Sequence, residues 1–252
     1  NSSAPTGGTG SYTYQWQSSS DNSTWSDIGG AGSATYSPGA ITANTYYRRA
    51  ETSGSCGTVY TSSVLITVYS NLTAGSVGSA QTICYNATPS GLTNSSAPTG
   101  GTGSYTYQWQ SSTDNSTWSD IGSATSTTYS PGALTSSTYY RRAETSGSCG
   151  TVYTPSVLIT VYGNLVAGTV GTAQTICHNT TPSGLTNTSS PTGGTGSYTY
   201  QWQSSTDNST WSDIGSATSD SYSPGALTAN IYYRREETSG SCAPVYTSSV
   251  LI

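Results

Sequence analysis

The chain has 252 residues, a formal net charge of −5 and only 7% charged residues, and its six cations are all arginine. So few cations exclude the basic surface that neutralises nucleic-acid phosphates, and we expect no nucleic-acid partner. No apolar run approaches the roughly 20 residues that cross a bilayer, so no membrane insertion is expected of this segment. The 21 Tyr and 6 Trp residues supply the large side chains from which small cores can be built.

The sequence repeats with a period of 93 residues. Trp16, Trp109 and Trp202 each stand in the phrase Tyr-Thr-Tyr-Gln-Trp-Gln. Such a period is longer than the roughly 20–50 residues of solenoid repeats and has the size of a small autonomous domain. The sequence therefore predicts three modules. The first module (1–70) lacks its first strand, the second module (71–163) is complete, and the third module (164–252) is truncated in its last strand.

Within the second module, alternation of apolar and polar residues and frequent turn signals predict strands. The predicted strands lie at residues 75–84, 92–96, 105–110, 118–121, 129–134, 138–145 and 157–162. About seven short strands per module indicate an all-β fold of tandem immunoglobulin-like β-sandwiches, with Trp109 in the core. The short joins between modules predict a stiff, elongated rod.

The five cysteines are of two kinds. Cys84 and Cys177 stand in Gln-Thr-Ile-Cys, whereas Cys56, Cys149 and Cys242 stand in Gly-Ser-Cys. Within a module the first kind precedes the second by 65 residues, which predicts the disulfides Cys84–Cys149 and Cys177–Cys242 and leaves Cys56 to pair outside the chain. We expect each bond to hold the opening strand to the end hairpin of its own module and to require an oxidising compartment.

The absent partner of Cys56 and the absent opening segment of the first module leave two interpretations open. Either the chain is a window on a longer array, or the first strand is donated by a neighbouring subunit, as in strand-exchange polymers. In both cases we expect self-association or further repeats of the same chain as partners.

The order of the motifs carries a resemblance. The second module contains Tyr-Gln-Trp-Gln-Ser-Ser-Thr-Asp-Asn-Ser-Thr-Trp (107–118), Tyr-Ser-Pro-Gly-Ala-Leu-Thr (129–135), Tyr-Tyr-Arg-Arg (139–142) and Ser-Gly-Ser-Cys (146–149). This order resembles the tandem immunoglobulin-like (PKD-like) repeats of large Bacteroidota cell-surface proteins, including gliding-motility and other adhesins exported by the type IX system. The resemblance implies a secreted, non-enzymatic protein that is attached to the cell surface or filamentous.

Asparagine sequons are frequent, and each is a candidate glycosylation site. They are headed by Asn1, Asn22, Asn71, Asn86, Asn94, Asn115, Asn179, Asn187 and Asn208. In a chain this rich in Ser and Thr the same pattern also arises by chance, so glycan attachment and chance both remain open.

Few other residues could carry chemistry. Asp114 and Asp120 flank a hairpin and predict either turn-forming carboxylates or a calcium site, of which the former fits better because the ligands are too sparse. Arg141 and Arg142 are adjacent on one strand and point to opposite faces, which favours one cation–π contact with Trp and one ion pair with Asp or Glu. His178 has no counterpart in the other modules, and no catalytic set, metal site or cofactor site can be assembled.

These observations favour a non-enzymatic function. The leading hypothesis is an extracellular structural array, a stalk or filament of a surface adhesin or fibre that extends by further repeats or by strand donation. The alternative is a set of multivalent carbohydrate-binding modules, in which repetition raises avidity.

Overall fold

A computed structural model describes residues 3–252 and shows an all-β chain. The chain divides into two compact units. One contains the residues up to Asn71 together with Gly100–Thr102, and the other contains Leu72–Thr99 and Gly103–Ile252. Apart from Asn71 and Gly100–Thr102, the second and third modules therefore belong to one unit. The fold is that of tandem immunoglobulin-like β-sandwiches, as the sequence predicts.

The first module contributes one five-stranded sheet in the order β2-β1-β3-β4, with β5 also paired to β3. Its strands are β1 (Thr13–Ser19), β2 (Ser26–Asp27), β3 (Thr45–Thr52), β4 (Thr58–Tyr60) and β5 (Val64–Ile66). A short 3₁₀ turn over Gly54–Cys56 connects β3 to β4.

The second module contains a six-stranded sheet in the order β10-β9-β11-β13-β7, with β12 paired to β11, and a separate β6–β8 ladder. Its strands are β6 (Ser76–Val77), β7 (Gln81–Ile83), β8 (Asn94–Ser96), β9 (Thr106–Ser112), β10 (Ser119–Asp120), β11 (Thr138–Thr145), β12 (Thr151–Tyr153) and β13 (Val157–Val161). The 3₁₀ turn at Gly147–Cys149 follows β11.

The third module repeats this arrangement, with a five-stranded sheet in the order β19-β18-β20-β21 and β22 paired to β20. Its strands are β14 (Gly163–Val166), β15 (Thr169–Val170), β16 (Asn187–Ser189), β17 (Thr192–Gly194), β18 (Thr199–Ser205), β19 (Ser212–Asp213), β20 (Tyr232–Thr238), β21 (Val245–Tyr246) and β22 (Val250–Leu251). The β14–β17 and β15–β16 pairs form separate two-stranded ladders.

The core of the second module lies between its two layers. Trp109 and Ile159 come from the large sheet and pack with Val77 and Leu92 from the other layer, and all four are buried. The indole N–H of Trp109 donates to the carbonyl of Ser126 at 2.9 Å, so its polar atom is satisfied inside the core. Trp202 has the same position in the third module. Both tryptophans are buried, as the sequence predicts.

The opening segment of the second module changes layers. The sequence predicts one strand over 75–84, but the structure breaks it into β6, which pairs with β8, and β7, which runs parallel to β13. The break falls at Gly78, whose φ is 48° and whose missing Cβ would lie 2.9 Å from the Leu92 side chain. A residue with a Cβ would fit poorly there, so this glycine permits the crossing between layers.

The closing strand of the first module is more exposed than that of the second module. Ile66 on β5 is 37% exposed, whereas its counterpart Ile159 on β13 is fully buried. The difference arises because β7 lies beside β13 in the second module, while among residues 3–252 β5 pairs with β3 and with no other strand.

Candidate functional site: the joint between the second and third modules

A disulfide joins two consecutive modules. Cys84, which follows β7 in the second module, is bonded to Cys242, which follows β20 in the third module, with a Cα–Cα distance of 5.4 Å. Cys56, Cys149 and Cys177 are free. The predicted pairings Cys84–Cys149 and Cys177–Cys242 are therefore wrong.

The strand directions explain this correction. Since β7 runs parallel to β13 and β13 runs antiparallel to β11, Cys84 lies beyond the start of β11, where Thr138 pairs with Ile159. Cys149 lies just after the other end of β11. At about 3.3 Å per residue, this eight-residue strand separates the two cysteines by roughly 25 Å. A disulfide spans at most about 7 Å between Cα atoms, so the two cysteines of one module cannot reach each other.

A cleft with a mixed polar and apolar lining lies beside the bond. This cleft of about 140 Å³ is lined by Tyr85 from the second module and by Leu165, Pro244 and Val245 from the third. In the third module β14, which carries Leu165, pairs with β17, and Gly193 allows their backbones to approach because a Cβ would lie 1.9 Å from the carbonyl oxygen of Asn164. The joint thus combines a covalent bond with a preformed edge of the third module.

A buried ion pair lies inside each module. Arg142 donates through its guanidinium to Glu144, and neither side chain is exposed to solvent. The carboxylate also accepts the backbone N–H of Gly75 at 2.8 Å, while the guanidinium donates to the side-chain oxygen of Asn94 at 2.8 Å. The pair therefore connects β11 to the opening segment and to β8. Arg235 and Glu237 repeat the arrangement in the third module.

The neighbouring arginine lies on the outer face of the sheet. The guanidinium carbon of Arg141 is 4.2 Å from the ring centroid of Trp118 and 4.0 Å from that of Tyr153. Its Nε donates to Gln110, which in turn donates to Asp120. We call Trp118, Arg141 and Tyr153 the aromatic ladder. The adjacent arginines do point to opposite faces, as the sequence predicts, and the ladder recurs in the other modules as Trp25, Arg48, Tyr60 and as Trp211, Arg234, Tyr246.

Asp114 shapes a turn. One of its carboxylate oxygens accepts the backbone N–H groups of Ser116 and Thr117, at 2.8 and 2.7 Å, and the hydroxyl of Ser112 at 2.8 Å. Hydrogen bonds from the backbone N–H groups of Thr117 and Ser116 hold the pKa of this carboxyl well below its ordinary value. Asp21 and Asp207 have the same environment. Across residues 3–252, no three His, Cys, Asp or Glu side chains are grouped as a metal site requires.

The sequons differ in how available their amides are. Five of their asparagines have a left-handed backbone with φ near 60° and an exposed side chain: Asn22, Asn86, Asn115, Asn179 and Asn208. In contrast, Asn94 and Asn187 accept hydrogen bonds from buried arginines, and Asn187 also donates to Ser190. Asn71 is exposed, and Asn1 lies outside the described residues. Glycosylation at these positions remains a prediction.

Sequence reasoning found the arginine pair but missed most of its partners. Asn94 is 48 residues from its partner Arg142 along the chain, and Gly75 is 69 residues from its partner Glu144; neither spacing is typical of a motif. His178 is exposed. No helical turn in the described part of the chain is long or apolar enough to cross a bilayer.

Comparison with known proteins identifies a recurring domain. The sequence profile of Domain of unknown function (DUF8696) matches residues 1–70, 73–163 and 166–252. No curated protein matches the sequence.

Solved structures with similar architecture include the three N-terminal domains of the bacteriophage RB49 Highly Immunogenic Outer Capsid protein. They share 14% identity with this chain over 95% of this chain and 86% of that one, with a TM-score of 0.40. Extracellular domains 3–5 of Drosophila OTK share 14% identity over 95% of this chain and 85% of that one, with a TM-score of 0.37. Domains A168–A170 from titin share 12% identity over 82% and 73%, with a TM-score of 0.42. All three scores are below 0.5, so the fold assignment rests on the sheets described above.

Proposed function

The chain belongs to the DUF8696 family, of which it contains three consecutive copies, and from this premise we propose that it is an extracellular structural array, a stalk or filament built of covalently joined modules. The observation that carries this proposal is the Cys84–Cys242 bond, because it joins one module to the next and leaves the core of each module untouched. A bond in this position restrains the arrangement of modules, which is a structural task.

The setting of the bond supports an extracellular location. Disulfides persist in oxidising compartments and are rare in the cytosol. The low content of charged residues, 7%, leaves a surface dominated by hydroxyl and amide groups. The resemblance to PKD-like repeats of Bacteroidota surface adhesins points the same way, and we propose attachment to the surface of such a cell.

The decisive experiment is localisation in the cells that produce the chain. Immunogold electron microscopy with an antibody to the chain is expected to label fibres or stalks outside the cell. Extraction without reductant, followed by mass spectrometry, is expected to recover the peptide pair that contains Cys84 and Cys242. Labelling confined to the cytoplasm would contradict the proposal.

Strand donation offers one way of extending the array. In the second module β7 covers one side of β13, and Glu144 accepts the N–H of Gly75 from the opening segment. In the first module, Val64 and Ile66 lie on β5, the counterpart of β13, and are 64% and 37% exposed. Glu51 has the position that Glu144 has in the second module. We propose that an opening segment like residues 71–93 occupies this edge, supplied by a preceding module or by a neighbouring subunit.

A peptide tests this edge directly. A synthetic peptide of residues 71–96, with Cys84→Ser, is expected to bind the chain and to slow hydrogen exchange in Val64–Ile66. The matched control peptide carries Gly75→Val as well, because a Cβ at this glycine would lie 2.1 Å from the carbonyl oxygen of Ser96. Equal binding of both peptides, or of neither, would contradict strand donation.

The second candidate function, carbohydrate binding, is favoured by the aromatic ladder. The tyrosines Tyr60, Tyr153 and Tyr246 are between 41% and 53% exposed, and each lies against an arginine, which suits an anionic sugar. A glycan array probed with the chain and with the Arg48→Gln, Arg141→Gln, Arg234→Gln triple variant tests this function. Binding by the original chain that the variant loses would support it, and no binding by either would favour the purely structural array.

A further inference from the structure

Three free cysteines repeat the two ends of this joint: Cys177 repeats the Ile-Cys end, and Cys56 and Cys149 repeat the Gly-Ser-Cys end. The bonded pair consists of an Ile-Cys cysteine, Cys84, and the Gly-Ser-Cys cysteine of the next module, Cys242, 158 residues later. One period after Cys84 stands Cys177, which is free and exposed. Two periods before Cys242 stands Cys56, which is also free and exposed. Each therefore repeats one end of a bond that the same structure contains.

The loops that carry these free thiols share one backbone hydrogen bond with the loops of the bonded cysteines. The N–H of Thr180 donates to the carbonyl of Cys177 at 3.2 Å, as that of Ala87 does to Cys84 at 3.1 Å. Near the other kind of cysteine, the N–H of Cys56 donates to the carbonyl of Ser53 at 2.9 Å. The equivalent bond from Cys242 to Ser239 is 3.1 Å long. Both free thiols thus lie in turns that share this hydrogen bond with the turns of the bonded cysteines.

A partner within the same module is excluded for Cys177 by the argument that excludes it for Cys84. The N–H of Gln174, three residues before Cys177, donates to the carbonyl of Leu251, and Leu251 pairs with Tyr232 at the start of β20. Cys242 follows the opposite end of that strand and is already bonded. The partner of Cys177 must therefore come from another module.

We propose that Cys177 bonds to the Gly-Ser-Cys turn of a following module, and that Cys56 receives the Ile-Cys loop of a preceding one, so that the same disulfide recurs at successive joints. This inference rests on the proposed array. The following module is either further along the same polypeptide or in a second copy of this chain, in which case Cys56 of that copy is the acceptor and the copies link head to tail.

Formation of a disulfide from two thiols needs an oxidant. The oxidant is an extracellular disulfide of low molecular weight, such as oxidised glutathione. One protein thiolate attacks this disulfide, forming a mixed disulfide and releasing one glutathione thiol. The second protein thiolate then attacks the mixed disulfide at the protein sulfur and releases the second glutathione thiol. Two electrons pass from the two cysteines to the oxidant, and their two protons end on the released thiols.

The first arm of the test places the following module in the same chain. A copy of residues 160–252 appended after Ile252 continues the 93-residue period. In the appended copy, Cys177→Ser removes the second Ile-Cys thiol and Ala243→Gly gives the peptide of the copied Cys242 its own mass. After oxidation in glutathione buffer, mass spectrometry of unreduced peptides is expected to show Cys177 bonded to the appended copy of Cys242. A free Cys177, or a bond from it to any cysteine of its own module, would overturn linkage along one polypeptide.

The second arm supplies the module from a second copy, in a Cys149→Ser background. One variant adds Cys56→Ser and keeps only Cys177 open, and the other adds Cys177→Ser and keeps only Cys56 open. Each alone is expected to remain monomeric, whereas their mixture should form a one-to-one disulfide dimer at least tenfold in excess of either homodimer. A statistical mixture of dimers, or no dimer, would overturn linkage between copies.

The native bond keeps the two proposals distinguishable. Cys84–Cys242 is mapped in every variant, and its presence shows that the joint has formed. If it is found while Cys177 stays unbonded in both arms, the recurrence fails and the proposed structural array stands. If the antibody labels only the cytoplasm, the proposed function fails whatever the two arms give.

Discussion

The buried ion pair of the second module makes the sharpest stability prediction. Glu144→Gln keeps the size of the side chain and an oxygen acceptor for the N–H of Gly75, but it leaves the guanidinium of Arg142 without a counter-charge. Since both side chains are fully buried, water cannot replace the lost partner. Breaking such a pair by removing one member costs about 3–5 kcal/mol. That is a large share of the roughly 5–15 kcal/mol that stabilises an ordinary domain.

Hydrogen exchange in the segment from Pro155 to Val161 measures this cost, because that sequence is unique in the chain and contains β13. At about 1.4 kcal/mol for each factor of ten, exchange should accelerate by roughly two to three and a half orders of magnitude. Asp120→Asn is the control, because this carboxylate is exposed to solvent and accepts a hydrogen bond from the side chain of Gln110 at the surface.

A Glu144→Gln effect no larger than that of the control would refute the reasoning. Replacing both members, as in Arg142→Met with Glu144→Leu, should cost less than the single change, because no unpaired charge then remains in the core.

Three further predictions follow from the structure. Cys84→Ser opens a loop of 158 residues, and closing that loop stabilises the folded state by roughly 5 kcal/mol in the chain-entropy model when both modules unfold together. The urea midpoint for unfolding of the second and third modules should therefore fall in Cys84→Ser and stay unchanged in the control Cys56→Ser. Gly75→Ala should unfold the second module or expose its opening segment to proteolysis, because the new Cβ would lie 2.1 Å from the carbonyl oxygen of Ser96. The control Gly122→Ala should leave stability unchanged, because a Cβ there meets no atom within 4 Å. The carboxyl carbon of Asp114, followed by NMR, should titrate well below the ordinary aspartate pKa of about 3.9. Because the pKa of Asp114 is lowered in the folded state, the stability that this carboxylate contributes is present above the ordinary pKa and is lost as the pH falls through the lower folded pKa.

Local patterns in the sequence predict much of the second module. The predicted strand over 138–145 coincides with β11, and the alternation around Trp109 places the indole in the core. The adjacent arginines are assigned to opposite faces by the two-residue period of a strand. These features depend on neighbours in the chain, so a single sequence contains enough information to predict them.

The disulfide could not be predicted in the same way. A spacing of 65 residues says which cysteines share a module, but it does not say at which end of the sandwich each one lies. That depends on β7 leaving the layer of β6 at Gly78 and pairing with β13, a contact between residues far apart in the sequence. The same limit applies to Asn94, which binds Arg142 across 48 residues.

The bond between Cys84 and Cys242 also alters how the chain bears tension. When both modules are unfolded by a force applied at the two ends of the chain, the force passes through the two sulfur atoms, and the loop between Cys84 and Cys242, whose sequence separation is 158, carries none of it. At about 3.4 Å per extended residue, that loop holds roughly 50 nm of contour that only reduction of the bond releases. Repeated at each joint, such bonds would make an oxidised fibre almost inextensible, and a reductant would convert it into a long, compliant tether.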